Sequence, residues 1–164
     1  MASDHSMDIV VRFDFQELRN AVDQGKREIT NRFDLKDHNI EIDLSEEEIK
    51  ITAPSNIQIT SAYDILLKKV IARQLSPLIL DPQEIKEIGG MRVRQEIKLI
   101  KSLDQENAKK ITKIIKENLP KVSTNIQGDT VRASSKSIDD LQAARTLLAN
   151  EPSIKMPLEF TNYR

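Results

Sequence analysis

The chain of 164 residues holds few side chains able to do covalent or metal chemistry, and their spacing restricts them further. With no cysteine, there is no disulfide, thiolate zinc site, iron–sulfur cluster or cysteine nucleophile. The two histidines, His5 and His38, stand far apart and in no metal-ligand or general-base spacing such as H-E-x-x-H, so both read as solvated residues of an end and a loop. Asp139 and Asp140 could act as paired carboxylates. Their place in the first turn of a helix, where negative charge meets the positive end of the dipole, already accounts for them. Gly89-Gly90 lacks the further glycines or the Lys-Ser/Thr of a phosphate-cradling loop, and Glu46, Glu47 and Glu48 read as a solvated turn. No catalytic residue, metal site or cofactor is expected, and an enzyme acting on nucleotides is disfavoured.

Binding chemistry is better represented. Arg92, Arg94, Lys98, Asn125, Gln127 and Arg132 are expected on one sheet face opposite the helices, with Lys136 at its edge. Cationic groups can meet phosphates, and Asn and Gln amides can read base edges. Neutralising about six phosphates would lower affinity roughly a thousandfold between low and physiological salt. The face offers no aromatic ring for base stacking, a contact worth about 1–3 kcal/mol. The plainer reading is a solvated or covered sheet face. Lys109, Lys113 and Lys116 form a second basic stripe, which reads first as the wet side of an amphipathic helix.

These residues need elements to hold them. Residues 121–142 carry the clearest pattern: two alternating segments flank Gly128-Asp129, pairing Gln127 with Thr130, Ile126 with Val131, Asn125 with Arg132 and Thr124 with Ala133. A helix follows at once, with Ser137 and Asp140 in capping-box spacing. Earlier in the chain, residues 7–13 read as a strand, Asp14 and Glu17 as the cap of a helix to about residue 32, and residues 40–53 as two strands. Gly25 within that helix marks a close helix-to-sheet contact. A second helix runs from about 55 to 74, and Leu78–Leu80 forms a very short strand. After a linker, residues 93–99 read as a strand, Ser102 or Asp104 caps the next helix, and residues 158–163 close the pattern.

Shifted by 82 residues, the second half falls on the first. Val122, Thr124, Ile126, Val131 and Ala133 align with Ile40, Ile42, Leu44, Ile49 and Ile51, and Ser137 with Ser55. The expected fold is α+β: two tandem ferredoxin-like (β-α-β-β-α-β) units with antiparallel sheets. Residues 1–88 form the first unit and residues 89–164 the second. Because Leu78–Leu80 is weak, an exchange of terminal strands, with 156–164 completing the first unit, is the alternative.

Charge divides along the chain. Residues 1–56 hold 7 Lys/Arg against 13 Asp/Glu, a net of −6, whereas residues 89–136 hold 11 against 5, a net of +6. That points to an anion-attracting second half, or to mutual attraction of the halves. Hydrophobic content of 38% with 4% aromatics allows only modest cores. No apolar run of about 18 residues and no signal-peptide pattern is visible, so a cytoplasmic protein without membrane contact is expected.

The opening MASDHSMDIV, the helix QELRNAVDQGKREITNRFDLK, the hairpin IQGDTVRASSKSIDDLQ and the ending PLEFTNYR resemble the YajQ family of bacterial nucleotide-binding proteins. The resemblance covers essentially the whole chain. It implies tandem ferredoxin-like units in a cytoplasmic protein without known catalytic activity. Members are described as binding nucleotides or RNA, and some as cyclic di-GMP receptors linked to transcriptional control. The hairpin match includes Gln127, Gly128, Asp129, Arg132, Lys136, Asp139 and Asp140. It departs at Ser135, where a glycine is common, and at Ile138, where a basic residue often stands. Met7 replaces a usual Phe, and Val93 stands where some members carry an aromatic.

The resulting expectation is a non-enzymatic nucleotide-binding protein, a cyclic di-GMP effector or an RNA-associated regulatory factor. Arg92, Arg94, Lys98 and Arg132 would hold phosphate, and Asn125 and Gln127 would offer amide contacts. Its partners would be a nucleotide, cyclic dinucleotide or RNA, with a protein partner in transcriptional regulation. The rival reading is a protein-interaction adaptor using the basic face for an acidic partner.

Overall fold

The computed structural model describes residues 4–164, so the opening Met-Ala-Ser of the first motif lies outside the described residues. In chain order the elements are β1 (His5–Val11), α1 (Phe15–Asn31), β2 (Glu41–Leu44), β3 (Glu48–Ala53) and α2 (Asn56–Ala72). A short 3-10 turn at Pro77–Ile79 leads to β4 (Leu80–Pro82), β5 (Lys86–Glu87) and β6 (Val93–Leu99). Then come α3 (Gln105–Asn118), β7 (Ser123–Gln127), β8 (Thr130–Ser135), α4 (Ile138–Ala149) and β9 (Leu158–Thr161).

Local signals set most of these boundaries. Asp14 accepts from the backbone N–H groups of Gln16 and Glu17 and so caps α1. Asp104, rather than Ser102, accepts from Asn107 N–H and caps α3. Ser137 makes no such bond. Instead the Ser135 hydroxyl accepts from Ser137 N–H and donates to Asp140. In the β7–β8 hairpin Gln127 pairs with Thr130, Ile126 with Val131, Asn125 with Arg132 and Thr124 with Ala133, the expected register. Gly128 takes φ +62°, a left-handed value suited to the first central residue of a primed turn.

Two antiparallel sheets result, and they divide the chain differently from the expected boundary at residue 88. One sheet has the order β7-β8-β1-β9, the other β2-β3-β6-β4, with β5 also on β6. The compact units are Met1–Arg12 with Lys101–Arg164, and Phe13–Ile100. Each shows the strand arrangement of a ferredoxin-like sheet. The place next to β8 is filled by the distant β1, and the equivalent place next to β3 by β6. The strands out of their expected sheet are therefore the first of each half. The terminal strand β9 pairs with β1 beside β8 and does not complete the sheet of β2 and β3.

Cross-strand chemistry rationalises the exchange. Glu96 of β6 falls opposite Lys50, and Lys98 opposite Glu48, two acid–base pairs on the charged β3. On β1 the uncharged Ser6 meets Ser134, and Asp8 meets Arg132. Redrawn this way, the unit of residues 13–100 carries 13 Lys/Arg against 16 acids, a net of −3, and the other 12 against 10, a net of +2. The contrast of −6 with +6 along the chain therefore largely disappears in the folded units.

Each unit has its own core. In Phe13–Ile100, Leu18, Ala21, Val22 and Ile29 of α1 and Ile59, Ala62, Leu66 and Val70 of α2 cover Ile49, Ile51 and Ile97. Gly25 serves contact between helices rather than with the sheet, since a Cβ there would lie 2.6 Å from Leu66 Cδ2 of α2. In the other unit Met7, Ile9, Val131 and Ala133 are buried along with Ala108, Ile111 and Ile115 of α3 and Leu141, Ala144 and Leu148 of α4. The opposite sheet face is left without helices.

Candidate functional site

The seven residues expected on one face are split between the two sheets. Asn125, Gln127, Arg132 and Lys136 belong to the β7-β8-β1-β9 unit, whereas Arg92, Arg94 and Lys98 belong to Phe13–Ile100. The expectation failed because β6 has the alternation of a strand but no local mark of which sheet it joins.

Arg92 and Arg94 are hydrogen-bonded within their own unit. Arg92 Nη2 donates to the carbonyls of Asn39 (2.6 Å) and Thr52 (3.3 Å), fastening the chain before β2 to the end of β3. Arg94 Nε donates to Thr52 Oγ1 at 3.1 Å, and Lys98 lies across from Glu48. Rows running Glu96–Lys50–Asp43 across this face alternate in sign. It is not a basic surface.

The outer face of β7-β8-β1-β9 is polar. Strand alternation turns Val131 and Ala133 inward and Thr130, Arg132 and Ser134 outward, beside the exposed Ser123, Asn125 and Gln127 of β7. Register aligns the outward residues into rows: Ser6–Ser134–Ser123, then Thr161–Asp8–Arg132–Asn125, with Thr130–Gln127 beyond. Arg132 Nε donates to Asp8 Oδ1 at 2.9 Å, and Asn162 Nδ2 donates to Asp8 Oδ2 at 2.9 Å. These donors, Arg132 foremost, outweigh burial and hold the Asp8 carboxyl below its ordinary pKa. The same pair raises that of Arg132. Arg132 keeps 32% of its side chain exposed, so its guanidinium is oriented by Asp8 yet open on the solvent side.

At one end of this face lies a pocket of about 290 Å³ lined by Asp4, Lys121, Ser123, Ser134, Ser135, Lys136 and Asp140. It gathers Lys136 with Asp140, which sequence reasoning read as a helix-capping residue, and with residues not expected in a binding site. Ser123 and Ser134 follow from the alternation of the hairpin strands, but nothing local marked Lys121 as their neighbour. Asp8 was missed because its partners Arg132 and Asn162 lie 124 and 154 residues away. His5, expected in a loose end, lies in β1 within hydrogen-bond distance of the Arg164 carbonyl. Among the described residues no group of three or more His, Cys, Asp or Glu side chains is placed to hold a metal ion. Nor, among them, is any helix long and apolar enough to cross a membrane.

Fold and face together define a small α+β protein with, among the described residues, two antiparallel sheets and four α-helices, one sheet carrying rows of hydrogen-bonding side chains whose β7 members are exposed. The chain belongs to the YajQ-like family: the family model described as "Nucleotide-binding protein YajQ-like" matches residues 5–164. It is 50% identical over 164 residues to a protein of Trichodesmium erythraeum (strain IMS101) called a nucleotide-binding protein, with 100% of both chains covered. It is 48% identical to nucleotide-binding proteins of Synechococcus sp. (strain CC9605) and Nostoc punctiforme, again over 100% of each chain.

Proposed function

We propose that this protein binds nucleotides, without chemistry on them, on the outer face of the β7-β8-β1-β9 sheet. The observation carrying this reading is the row Asp8–Arg132–Asn125, in which a buried Asp8 orients a part-exposed Arg132 beside the exposed Asn125 and Gln127. An oriented guanidinium can meet a phosphate or stack on a base, and two exposed amides can pair with base edges. Family membership supports the ligand class. A cyclic dinucleotide such as cyclic di-GMP or a short single-stranded RNA would suit this polar face, in a regulatory factor of the cytoplasm. Of the seven residues first considered, Asn125, Gln127, Arg132 and Lys136 carry the proposal. Arg92, Arg94 and Lys98 do not.

Calorimetry with mononucleotides, cyclic dinucleotides and short RNA tests it. Asn125→Ala with Gln127→Ala removes two exposed amides and lowers affinity about tenfold, while Arg94→Ala leaves it unchanged. If Arg94→Ala abolishes binding and the amide pair does nothing, the site lies on the other sheet. Equal affinity for any polyanion would favour the adaptor reading instead.

A further inference from the structure

The pocket at the end of the polar face is more specific than the face itself. Lys121 and Lys136 supply two exposed ammonium groups, and Ser123 and Ser134 two hydroxyls from one cross-strand row. Asp4 and Asp140 supply carboxylates in the same pocket. Asp140 already accepts from the Ser135 hydroxyl at 3.0 Å, in the first turn of α4. Lysine and hydroxyl donors suit a phosphate, and carboxylates suit the hydroxyls of a ribose. A space of about 290 Å³ lies at the small end of ligand pockets, suited to one nucleotide unit. The Arg132–Asn125 row begins two residues further along the strands, a rise of about 7 Å. That spacing suits a base held one row away from its own sugar and phosphate.

We infer that this pocket takes the ribose-phosphate part of a single ribonucleotide, free or at the 5′ end of an RNA, with the base over Asn125 and Arg132. The inference rests on the nucleotide-binding reading above and adds the subsite and the ligand's size. Neither Lys121 nor Lys136 has a buried side chain, so Lys121→Gln with Lys136→Gln should keep the fold, checked by an unchanged unfolding midpoint.

The full chain is titrated with the four ribonucleoside 5′-monophosphates, the matching nucleosides and the 2′-deoxy monophosphates. In the unaltered protein a monophosphate binds about tenfold or more tightly than its nucleoside, and the double lysine variant loses that preference while binding nucleosides unchanged. Deoxy forms bind more weakly. A preference for 5′-phosphorylated over 5′-hydroxyl tetraribonucleotides identifies an RNA end as a source; its absence, with monophosphates bound, confines the site to free nucleotides. A folded lysine variant that keeps the phosphate preference overturns the phosphate assignment, and equal affinity for deoxy forms overturns the sugar assignment. Sensitivity to the Asn125/Gln127 substitutions alone would leave the face reading intact and remove the pocket. No binding of any nucleotide by the unaltered chain would end both.

Discussion

The two sheets share one strand arrangement and treat their helix-free faces in opposite ways. Around β3 the central row reads Glu96–Lys50–Asp43, and the rows beside it include Lys98–Glu48 and Arg94–Thr52–Glu41. Charges there stand opposite unlike charges or hydroxyls, and Arg92 and Arg94 are hydrogen-bonded to groups of β3. Around β8 the corresponding rows read Asp8–Arg132–Asn125 and Ser6–Ser134–Ser123. The Asp8–Arg132 ion pair lies at the centre and a second, Arg12–Glu159 at 2.9 Å, on the β1–β9 side, where Arg12 also donates to Thr161; hydroxyls and amides occupy the β7–β8 side. A face of alternating charge satisfies itself; the β7–β8 side, where neutral hydrogen-bonding groups flank an oriented guanidinium, can still engage a ligand. The count of basic residues along a strand is thus a poor guide to where an anion binds, because neighbouring strands decide how much of that charge is free.

The largest test of this contrast is removal of residues 1–11. Their strand lies between β8 and β9, so amide exchange protection of β7, β8 and β9 should collapse while that of β2, β3 and β6 persists. Loss of β3 and β6 protection first would mean that β1 belongs to the other sheet. Next in size is Asp8→Ala, which strips the partner from the half-exposed Arg132. It should lower stability by about 2 kcal/mol in urea unfolding, whereas Glu96→Ala on the alternating face should stay within about 0.5 kcal/mol. Equal losses would erase the distinction drawn between the faces.

Acid should act on the same pair. The Asp8 pKa is lowered by Arg132 and Asn162, so the folded chain holds this proton less readily than the unfolded one. The associated stability is present above the ordinary value of 3.8 and is lost as pH falls through the lowered folded value. Melting temperatures followed from pH 6 downward should therefore drop less steeply below about pH 4 in Asp8→Asn than in the unaltered protein. The smallest effect concerns salt. With about six phosphates neutralised, a roughly thousandfold loss of RNA affinity was expected. With only Lys121 and Lys136 in the pocket, about two phosphate charges are neutralised, and affinity for a short 5′-phosphorylated strand should fall roughly sevenfold between 50 and 200 mM salt. A slope near that for six phosphates would bring Arg92, Arg94 and Lys98 back into the site.

Much of this was legible in the chain. Alternation about Gly128-Asp129 fixed the β7–β8 register, and with it the outward placement of Asn125, Gln127 and Arg132, because side-chain period and turn chemistry are both local. The caps Asp14 and Asp104 were equally readable. At the shift of 82 residues the bounds of β8 fall on those of β3, and the start of α4 on that of α2, as the hydrophobic pattern suggested. Ser137 as a side-chain cap was a local inference that failed, since Ser135 took over the bond to its N–H.

What sequence alone determined, then, is most elements, their inward faces and the closest pairings, all set by interactions within about a dozen residues. It missed β5, which lies in the expected linker, and the expected Leu78–Leu80 strand is a 3-10 turn to Ile79 with β4 starting at Leu80. The tertiary structure alone decided that β1 joins β8 and β6 joins β3. Both strands alternate apolar and polar residues, so period cannot assign them, and the choice depends on partners such as Arg132 for Asp8 and Lys50 for Glu96 far along the chain. That choice moved three of the seven candidate residues to another sheet and brought Asp4, just ahead of β1, to a pocket whose Lys121, Ser123, Ser134 and Lys136 come from the ends of the β7–β8 hairpin.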